Sequence, residues 1–373
     1  MGVNPIFDSE TWSRVPFHFW SVVFFAFGSM VGSFLNVCIY RMPLGLSVVS
    51  PPSHCPHCKY SIPWFLNVPL LTWLSLRGKC KNCGAPISPR YFLVELLTGL
   101  TFLACWLKFG EPSHQYASMP LALVYCLLLG GLIVATFIDF EHFIIPDEIT
   151  LGGCVVGFIC SFLLPSLHHT TVLIVSLKES LLGIAVGAGV VYAILRAGKL
   201  LFGRQKVELP GETTIIFSET GLHLPDREIP FEEVFYRDSD TIVMVAQRVE
   251  LVDRCYGNTR LKLSPKRLQI GDEDLNPEEV PHMEAACTEL VLPREAMGFG
   301  DVKFMGAIGA FLGWQATLFS LMVSSIIGSI IGVALIVTGK REWSSRLPYG
   351  PYIAMAAVIW VFCGREILAL IYH

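Results

Sequence analysis

Apolar residues fall into eight runs along the 373-residue chain, at 17–40, 91–108, 120–138, 149–164, 177–195, 302–314, 318–337 and 352–371. A bilayer-spanning helix needs about 20 mostly apolar residues, and most of these runs approach that length. The sixth is short and rich in glycine, which lets neighbouring helices approach closely. The pattern fails between residues 207 and 294. There the apolar stretches are short and β-branched, Thr213 to Phe217 and Thr241 to Val245, with turn signals at Glu219-Thr220-Gly221 and Tyr256-Gly257-Asn258. The interval predicts a small β-rich domain, with the acidic stretch 271–284 as a linker. The expected fold is an all-α polytopic membrane protein of about eight transmembrane helices, carrying a cytoplasmic zinc-knuckle loop and a β-rich cytoplasmic insert. Five parts follow: a first helix in 1–40, a cysteine loop in 41–90, helices two to five in 91–206, the insert in 207–294, and the last three helices in 295–373.

Charge orients these elements. Between 41 and 90 the chain carries Arg41, Lys59, Arg77, Lys79, Lys81 and Arg90 and no acid. Basic loops stay on the cytoplasmic side, so this loop is expected inside and the N-terminus outside. Counting onward, Asp139 ends the third helix on the cytoplasmic side, and Asp301 begins the sixth on the same side. His168 and His169 fall in an outer loop, as does 111–118. Arg196, Lys199, Arg204 and Lys206 hold the end of the fifth helix inside, and Lys340-Arg341 the end of the seventh. The segment 1–14 is polar and shows no cleavage pattern of a signal peptide.

Composition agrees. Hydrophobic residues make up 53% of the chain and charged residues 16%, against roughly 25% charged in soluble domains, and mean hydropathy is +0.56. A net charge of −4 gives no basic footprint, so nucleic acid is not an expected partner. Gly-x-Ser-x-Gly, His-Glu-x-x-His and P-loop motifs are all missing, which argues against serine, zinc-metalloprotease and P-loop chemistry.

Of twelve cysteines, four are clustered as Cys55-x-x-Cys58 and Cys80-x-x-Cys83. Paired C-x-x-C knuckles in a reducing loop point to a tetrahedral thiolate zinc site. Such a site is closed and structural, with no position for water. Two disulfides are the other reading, and cytosolic disulfides are rare. His54 and His57 are spare ligands. Most of the remaining cysteines sit singly in apolar runs and read as small buried hydrophobes.

Two acids stand out. Asp301 lies in Gly298-Phe299-Gly300-Asp301-Val302-Lys303, where flanking glycines permit close approach by another chain; capping the sixth helix is its plain alternative. Asp139 closes the third run, ahead of Ile145-Pro146-Asp147, and its plain alternative is a solvated interfacial acid paired with His142 or Lys303. If the two carboxyls meet, one proton is shared between them, and the pair can activate water against a carbonyl. Asp147 reads as a turn or cap residue, with Glu141 and Glu148 as reserve acids. Glu95, inside the second run, is an unexplained intramembrane acid and so a functional suspect.

Taken in order, these motifs resemble the type IV prepilin peptidases, the leader peptidase/N-methyltransferase family of GxGD aspartic peptidases. Gly32-Ser33-Phe34-Leu35-Asn36-Val37 through Tyr40-Arg41-Met42-Pro43 is similar to the family's opening. The paired knuckles with Asn67 to Trp73 between them, and Arg90 to Glu95 after them, resemble its amino-terminal part. Asp139 with Ile145-Pro146-Asp147, then Glu295 to Lys303, and Leu347-Pro348-Tyr349-Gly350-Pro351 resemble its peptidase half. The resemblance implies an eight-helix enzyme of the bacterial inner membrane with Asp139 and Asp301 as catalytic pair, supported by Gly298, Gly300, Lys303, Pro146 and Asp147. Its substrates would be prepilins or pseudopilins of type IV pili or type II secretion, cut after a glycine on the cytoplasmic side, with membrane lipid as surroundings. The new N-terminus would then be methylated with S-adenosylmethionine, although no glycine-rich cofactor motif marks where the donor sits. The long insert departs from the family, whose usual connection there is short. Two rivals remain on residues alone: a proton-coupled transporter using both aspartates, and a membrane scaffold for pilus assembly in which neither acid matters.

Overall fold

The computed structural model describes residues 16–63, 67–110, 118–218, 220–225, 228–235, 240–293, 298–339 and 347–371. The polar segment 1–14, nearly all of the expected outer loop 111–118, Lys340-Arg341 and Glu295 to Met297 of the glycine-flanked motif lie outside the described residues. The chain divides into two compact units, 1–191 with 299–373, and 192–298.

The first unit is helical. Its elements are α1 (Phe17–Arg41), a short α2 (Leu71–Ser75), α3 (Pro89–Phe109), α4 (Met119–His142), α5 (Asp147–Leu163), α6 (Leu173–Phe202, which runs on into the second unit), α8 (Phe299–Val337) and α9 (Gly350–Ile371). Among the described residues α1, α3, α4, α6 and α8 are long and apolar enough to cross a membrane. α5 has 17 residues, and the apolar part of α9 is Gly350–Gly364. Local sequence sets the helix starts. Ser88 and Ser118 accept the Arg90 and Leu121 amides at the heads of α3 and α4, each with proline in the first turn. α4 stops where Phe143 turns left-handed, φ 55°.

Residues 299–337 hold the expected sixth and seventh helices as one element, broken at Gly313 (φ 80°, ψ 176°). A straight helix from 300 to 324 would rise about 36 Å. Yet Gly300 lies against Ile145, whose side chain also reaches Gly350, while Ser324 is within 2.8 Å of the Tyr349 hydroxyl. The chain therefore reverses at Gly313, and the loop expected between the two runs shrinks to one glycine in a backbone conformation that other residues rarely adopt. The first leg packs closely on its neighbours. A Cβ on Gly183 of α6 would sit 2.0 Å from the Gly309 carbonyl oxygen.

The second unit carries one eight-stranded sheet, in the order β3-β2-β1-β8-β4-β5-β6-β7. The strands are β1 (Arg204–Phe217), β2 (Gly221–His223), β3 (Glu228–Pro230), β4 (Ile242–Leu251), β5 (Cys255–Ser264), β6 (Arg267–Ile270), β7 (Glu273–Leu275) and β8 (Met283–Pro293), with a helical turn α7 (Phe231–Val234) after β3. Its core is apolar, built from Ile215, Phe217, Ile242, Met244, Leu261, Leu268 and Leu290 among others. Two expectations are corrected. The acidic stretch 271–284 is no linker: it forms β7 and the start of β8, because Met283 and Ala285 face the core while Glu273, Asp274 and Glu284 lie outside it. Tyr256-Gly257-Asn258 lies inside β5, and the chain reverses at 252–254, where the Leu251 amide donates to the Arg254 carbonyl. β1 and β8 pair from Arg204 opposite Pro293, so the sheet enters and leaves the chain at adjacent points.

Gly183→Ala should cost about 2 kcal/mol or more, because a methyl group cannot fit against the Gly309 backbone without shifting a helix. Thermal unfolding in detergent should show a lowered midpoint for this variant and none for Gly189→Ala, where added atoms meet open space.

Candidate active site and metal centre

Asp139 and Asp301 are both buried, at 6% and 8% exposure. Burying a carboxyl group requires compensating donors. For Asp139 the donor is backbone: the Gly350 amide donates to Oδ2 at 2.9 Å. Gly350 opens α9, so this N–H belongs to the first turn, which has no partner within its own helix and carries the positive end of the helix dipole. The fit leaves no room for a side chain. A Cβ on Gly350 would sit 2.8 Å from that same oxygen and 3.1 Å from Ile145 Cδ1. Ile145 in turn meets the glycine-flanked motif, 3.6 Å from where a Gly300 Cβ would lie. One side chain thus spans the ground between the residue preceding Asp301 and the residue holding Asp139.

The neighbouring charges are otherwise engaged. Lys303, two residues past Asp301, pairs with Asp147 at the head of α5 and lies over the Phe299 ring. Arg90 pairs with Glu141. Lys303 is therefore directed to Asp147, and the Asp139 carboxylate is met by the Gly350 amide. Pro146 precedes α5 with φ −59° and ψ 147° and gives its carbonyl to the Thr150 hydroxyl, fixing the turn that carries Ile145. Asp301 sits inside the first turn of α8 rather than at its cap, and Gly298 lies just before that helix. The residue whose role the motif reading did not assign is Gly350, which stood there only as part of the motif at 347–351. Its signal was a glycine before Pro351 at a helix start, where free amides are available.

Glu95 also gains a structural account. Its Oε2 accepts the Leu70 amide at 2.8 Å. Leu70 has a positive φ (61°, with ψ −54°) and lies between the two cysteine pairs, at the head of α2. Glu95 therefore ties the cysteine loop to α3, against which α1 packs closely. Gly32 permits this: a Cβ there would lie 2.8 Å from the Glu95 Cα. Asn36 completes the seam by donating to the Tyr91 carbonyl at 3.0 Å.

Cys55, Cys58, Cys80 and Cys83 bring their sulfurs within 4.8 Å of one another. Cys55 to Cys83 is 3.9 Å and Cys58 to Cys80 is 4.0 Å, and all four thiols are free. The two knuckles share one backbone form. Lys59 and Gly84, each following the second cysteine, are both left-handed, and their amides donate to the carbonyls of Cys55 and Cys80. The Asn82 side chain, followed by the Tyr60 backbone, brings the Cys58 thiol down to about 6. The Ala85 amide pulls Cys83 down, but burial and the neighbouring sulfurs outweigh it and push that thiol up to about 11. A set whose first thiolate forms easily and whose last is opposed by its neighbours suits a cation at its centre. His54 is turned away from this set, toward the Pro52 carbonyl at 3.0 Å.

A family profile described as Bacterial Peptidase A24 N-terminal domain matches residues 26–109, and one described as Type IV leader peptidase family matches 126–207 and 284–333. The chain belongs to the type IV leader peptidase family. The gap in the second match, 208–283, covers most of the β-sheet unit, so the sheet is an elaboration on the family's framework. A prepilin leader peptidase/N-methyltransferase of Aeromonas hydrophila is 28% identical over 95% of this chain and 93% of its own length. One of Myxococcus xanthus (strain DK1622) is 43% identical over 48% of this chain and 49% of its own, and one of Pseudomonas putida 26% identical over 92% and 90%. No solved structure matches the chain.

Gly350→Ala should displace the Asp139 carboxyl. Misplacing a reacting group by about 1 Å costs on the order of 10²-fold in rate. Leader-peptide cleavage in isolated membranes should fall by about that factor while the amount of membrane-inserted protein stays level.

Proposed function

We propose that this protein is a prepilin leader peptidase that also methylates the N-terminus it exposes. Asp139 and Asp301 are its catalytic pair, supported by Gly298, Gly300, Lys303, Pro146 and Asp147. The observation that carries the reading is the placement of Asp139, buried and held by the Gly350 amide beside the turn that bears Asp301. A carboxyl pair sharing one proton does the two jobs that peptide hydrolysis requires. The ionised member takes a proton from water as it attacks the scissile carbonyl, and the protonated member gives a hydrogen bond to the oxygen on which charge develops. The Gly350 amide orients the Asp139 carboxylate throughout.

Substrates are prepilins or pseudopilins, cut after a glycine. The protein crosses the bacterial inner membrane eight times, with its N-terminus outside and with the cysteine loop, the β-sheet unit and the acids at the cytoplasmic side. The basic residues between 41 and 90 support that orientation. S-adenosylmethionine is the methyl donor that the relatives' N-methyltransferase name implies. The four cysteines hold zinc. A tetrahedral site with Zn–S near 2.3 Å puts neighbouring sulfurs about 3.8 Å apart, in line with the 3.9 and 4.0 Å separations. A zinc ion would fix the two knuckles against each other and leave the hydrolysis to the acids. The relatives named above carry peptidase and methyltransferase names, and none supports the transporter reading.

Co-expression with a tagged prepilin tests the assignment. Asp139→Asn and Asp301→Asn should each leave the leader uncut while the variant remains in the membrane at normal abundance. Cleavage by either variant at the parental rate would remove that residue from the catalytic pair. The N-terminal mass of pilin from the parent should show both leader loss and a methyl group. For the metal, the purified protein should contain one zinc per chain, and Cys58→Ser should lose it. A parent protein free of zinc would contradict the metal assignment and leave the peptidase intact.

A further inference from the structure

The Gly350 amide that meets Asp139 is itself held from behind, by the return leg of α8. That leg presents Ser324, Gly328 and Gly332 on one face, about a turn apart, and the chain entering α9 lies along them. A Cβ on Gly332 would lie 3.3 Å from Leu347 Cδ1, and one on Gly328 would lie 3.1 Å from Tyr352 Cδ2 and 3.8 Å from Tyr349 Cε2. At the near end of this face the Tyr349 hydroxyl meets Ser324 Oγ at 2.8 Å and Ser325 Oγ at 2.9 Å. Both serines also reach the Leu321 carbonyl, at 3.0 and 2.8 Å. Three hydroxyl protons serve these contacts, and in every arrangement of them the Tyr349 hydroxyl keeps a serine partner. Ser324 is fully buried, where a broken hydrogen bond costs about 1–3 kcal/mol, so the anchor is firm.

Tyr349 also sets the start of α9. Its carbonyl accepts the Tyr352 and Ile353 amides, at 3.0 and 3.2 Å. The Gly350 N–H belongs to the same planar peptide unit as that carbonyl and donates the other way, to Asp139 Oδ2 at 2.9 Å. Any rotation of this plane weakens the first turn of α9 and the bond to the acid together. The side chain that fixes the plane is therefore a lever on the carboxylate.

We propose that Tyr349 is a positioning residue for peptide hydrolysis: its hydroxyl, docked on Ser324 and Ser325, fixes the peptide plane before Gly350 and through it the Asp139 carboxylate. The proposal rests on the peptidase reading above and adds a residue that acts through the Gly350 amide. Loss of placement at the reacting group lowers kcat, whereas loss of substrate binding raises KM.

The test uses the full-length protein in proteoliposomes with full-length prepilin. Tyr349→Phe removes the hydroxyl and leaves the ring beside Gly328. Its kcat for leader cleavage should fall about tenfold with KM unchanged, a smaller loss than in Gly350→Ala because the ring still restrains the turn. Ser324→Ala/Ser325→Ala should reproduce that split. Ser329→Ala, exposed on the same leg and bonded within its own helix, should leave both constants at parental values. Added to Gly350→Ala, Tyr349→Phe should lower kcat by less than about twofold more, because two changes acting through one amide are not additive. Parental kcat in Tyr349→Phe would overturn the proposal. So would a full tenfold further loss in the Gly350→Ala background, or a fall in kcat matched by an equal loss of folded protein in a thermal melt. If Asp139→Asn and Asp301→Asn still cleave, the peptidase reading itself fails. If they do not cleave while Tyr349→Phe keeps parental kcat, the positioning role alone fails.

Discussion

The hydrogen bond from the Gly350 amide to Asp139 shows how an apolar bundle keeps a carboxyl group. The interior offers few polar side chains, so donors come from backbone amides freed where the chain departs from regular structure. Gly350 supplies one at the start of α9. Leu70 supplies another, from a positive-φ turn ahead of α2, to Glu95. The second costs a side-chain-bearing residue an unfavourable backbone conformation, and the first requires a glycine because the carboxylate lies where a Cβ would be. In both cases the acid is fixed to a different part of the chain from the helix that carries it. Asp139 thereby ties α4 to α9, and Glu95 ties α3 to the cysteine loop.

Around these anchors, small residues set the distances. The first leg of α8 is held against α6 by the Gly183–Gly309 contact, and it turns back at Gly313. That reversal returns residue 324 to the level of Tyr349, so the turn bearing Asp301 and the turn bearing Gly350 belong to one neighbourhood with Ile145 between them. The same use of glycine leaves Gly131 and Gly152 uncovered.

Much of this was legible in sequence, for local reasons. A C-x-x-C spacing dictates a knuckle by itself, and the four cysteines do cluster. Apolar runs name helices, and alternating residues such as those from Ile242 to Leu251 name strands. Features set by remote contacts were not legible. The acidity of 271–284 suggested a linker because composition does not show that its acids stay outside a core which Met283 and Ala285 enter. Glu95 looked like a reactive acid because its partner is an amide 25 residues away in sequence. Gly350 stood only as one letter of the motif at 347–351, since an N–H directed at an acid 211 residues distant leaves no pattern.

The central claim is that Asp139 and Asp301 form one site, and proximity in the native membrane tests it most directly. The double variant Asp139→Cys/Asp301→Cys, oxidised in membranes and mapped by mass spectrometry after proteolysis, should yield a 139–301 disulfide, because bridged residues have Cα atoms within about 7 Å. A bridge between those positions that is lost when prepilin occupies the site would fit the account. Consistent absence of the bridge, with both introduced thiols accessible to a small alkylating reagent, would contradict it.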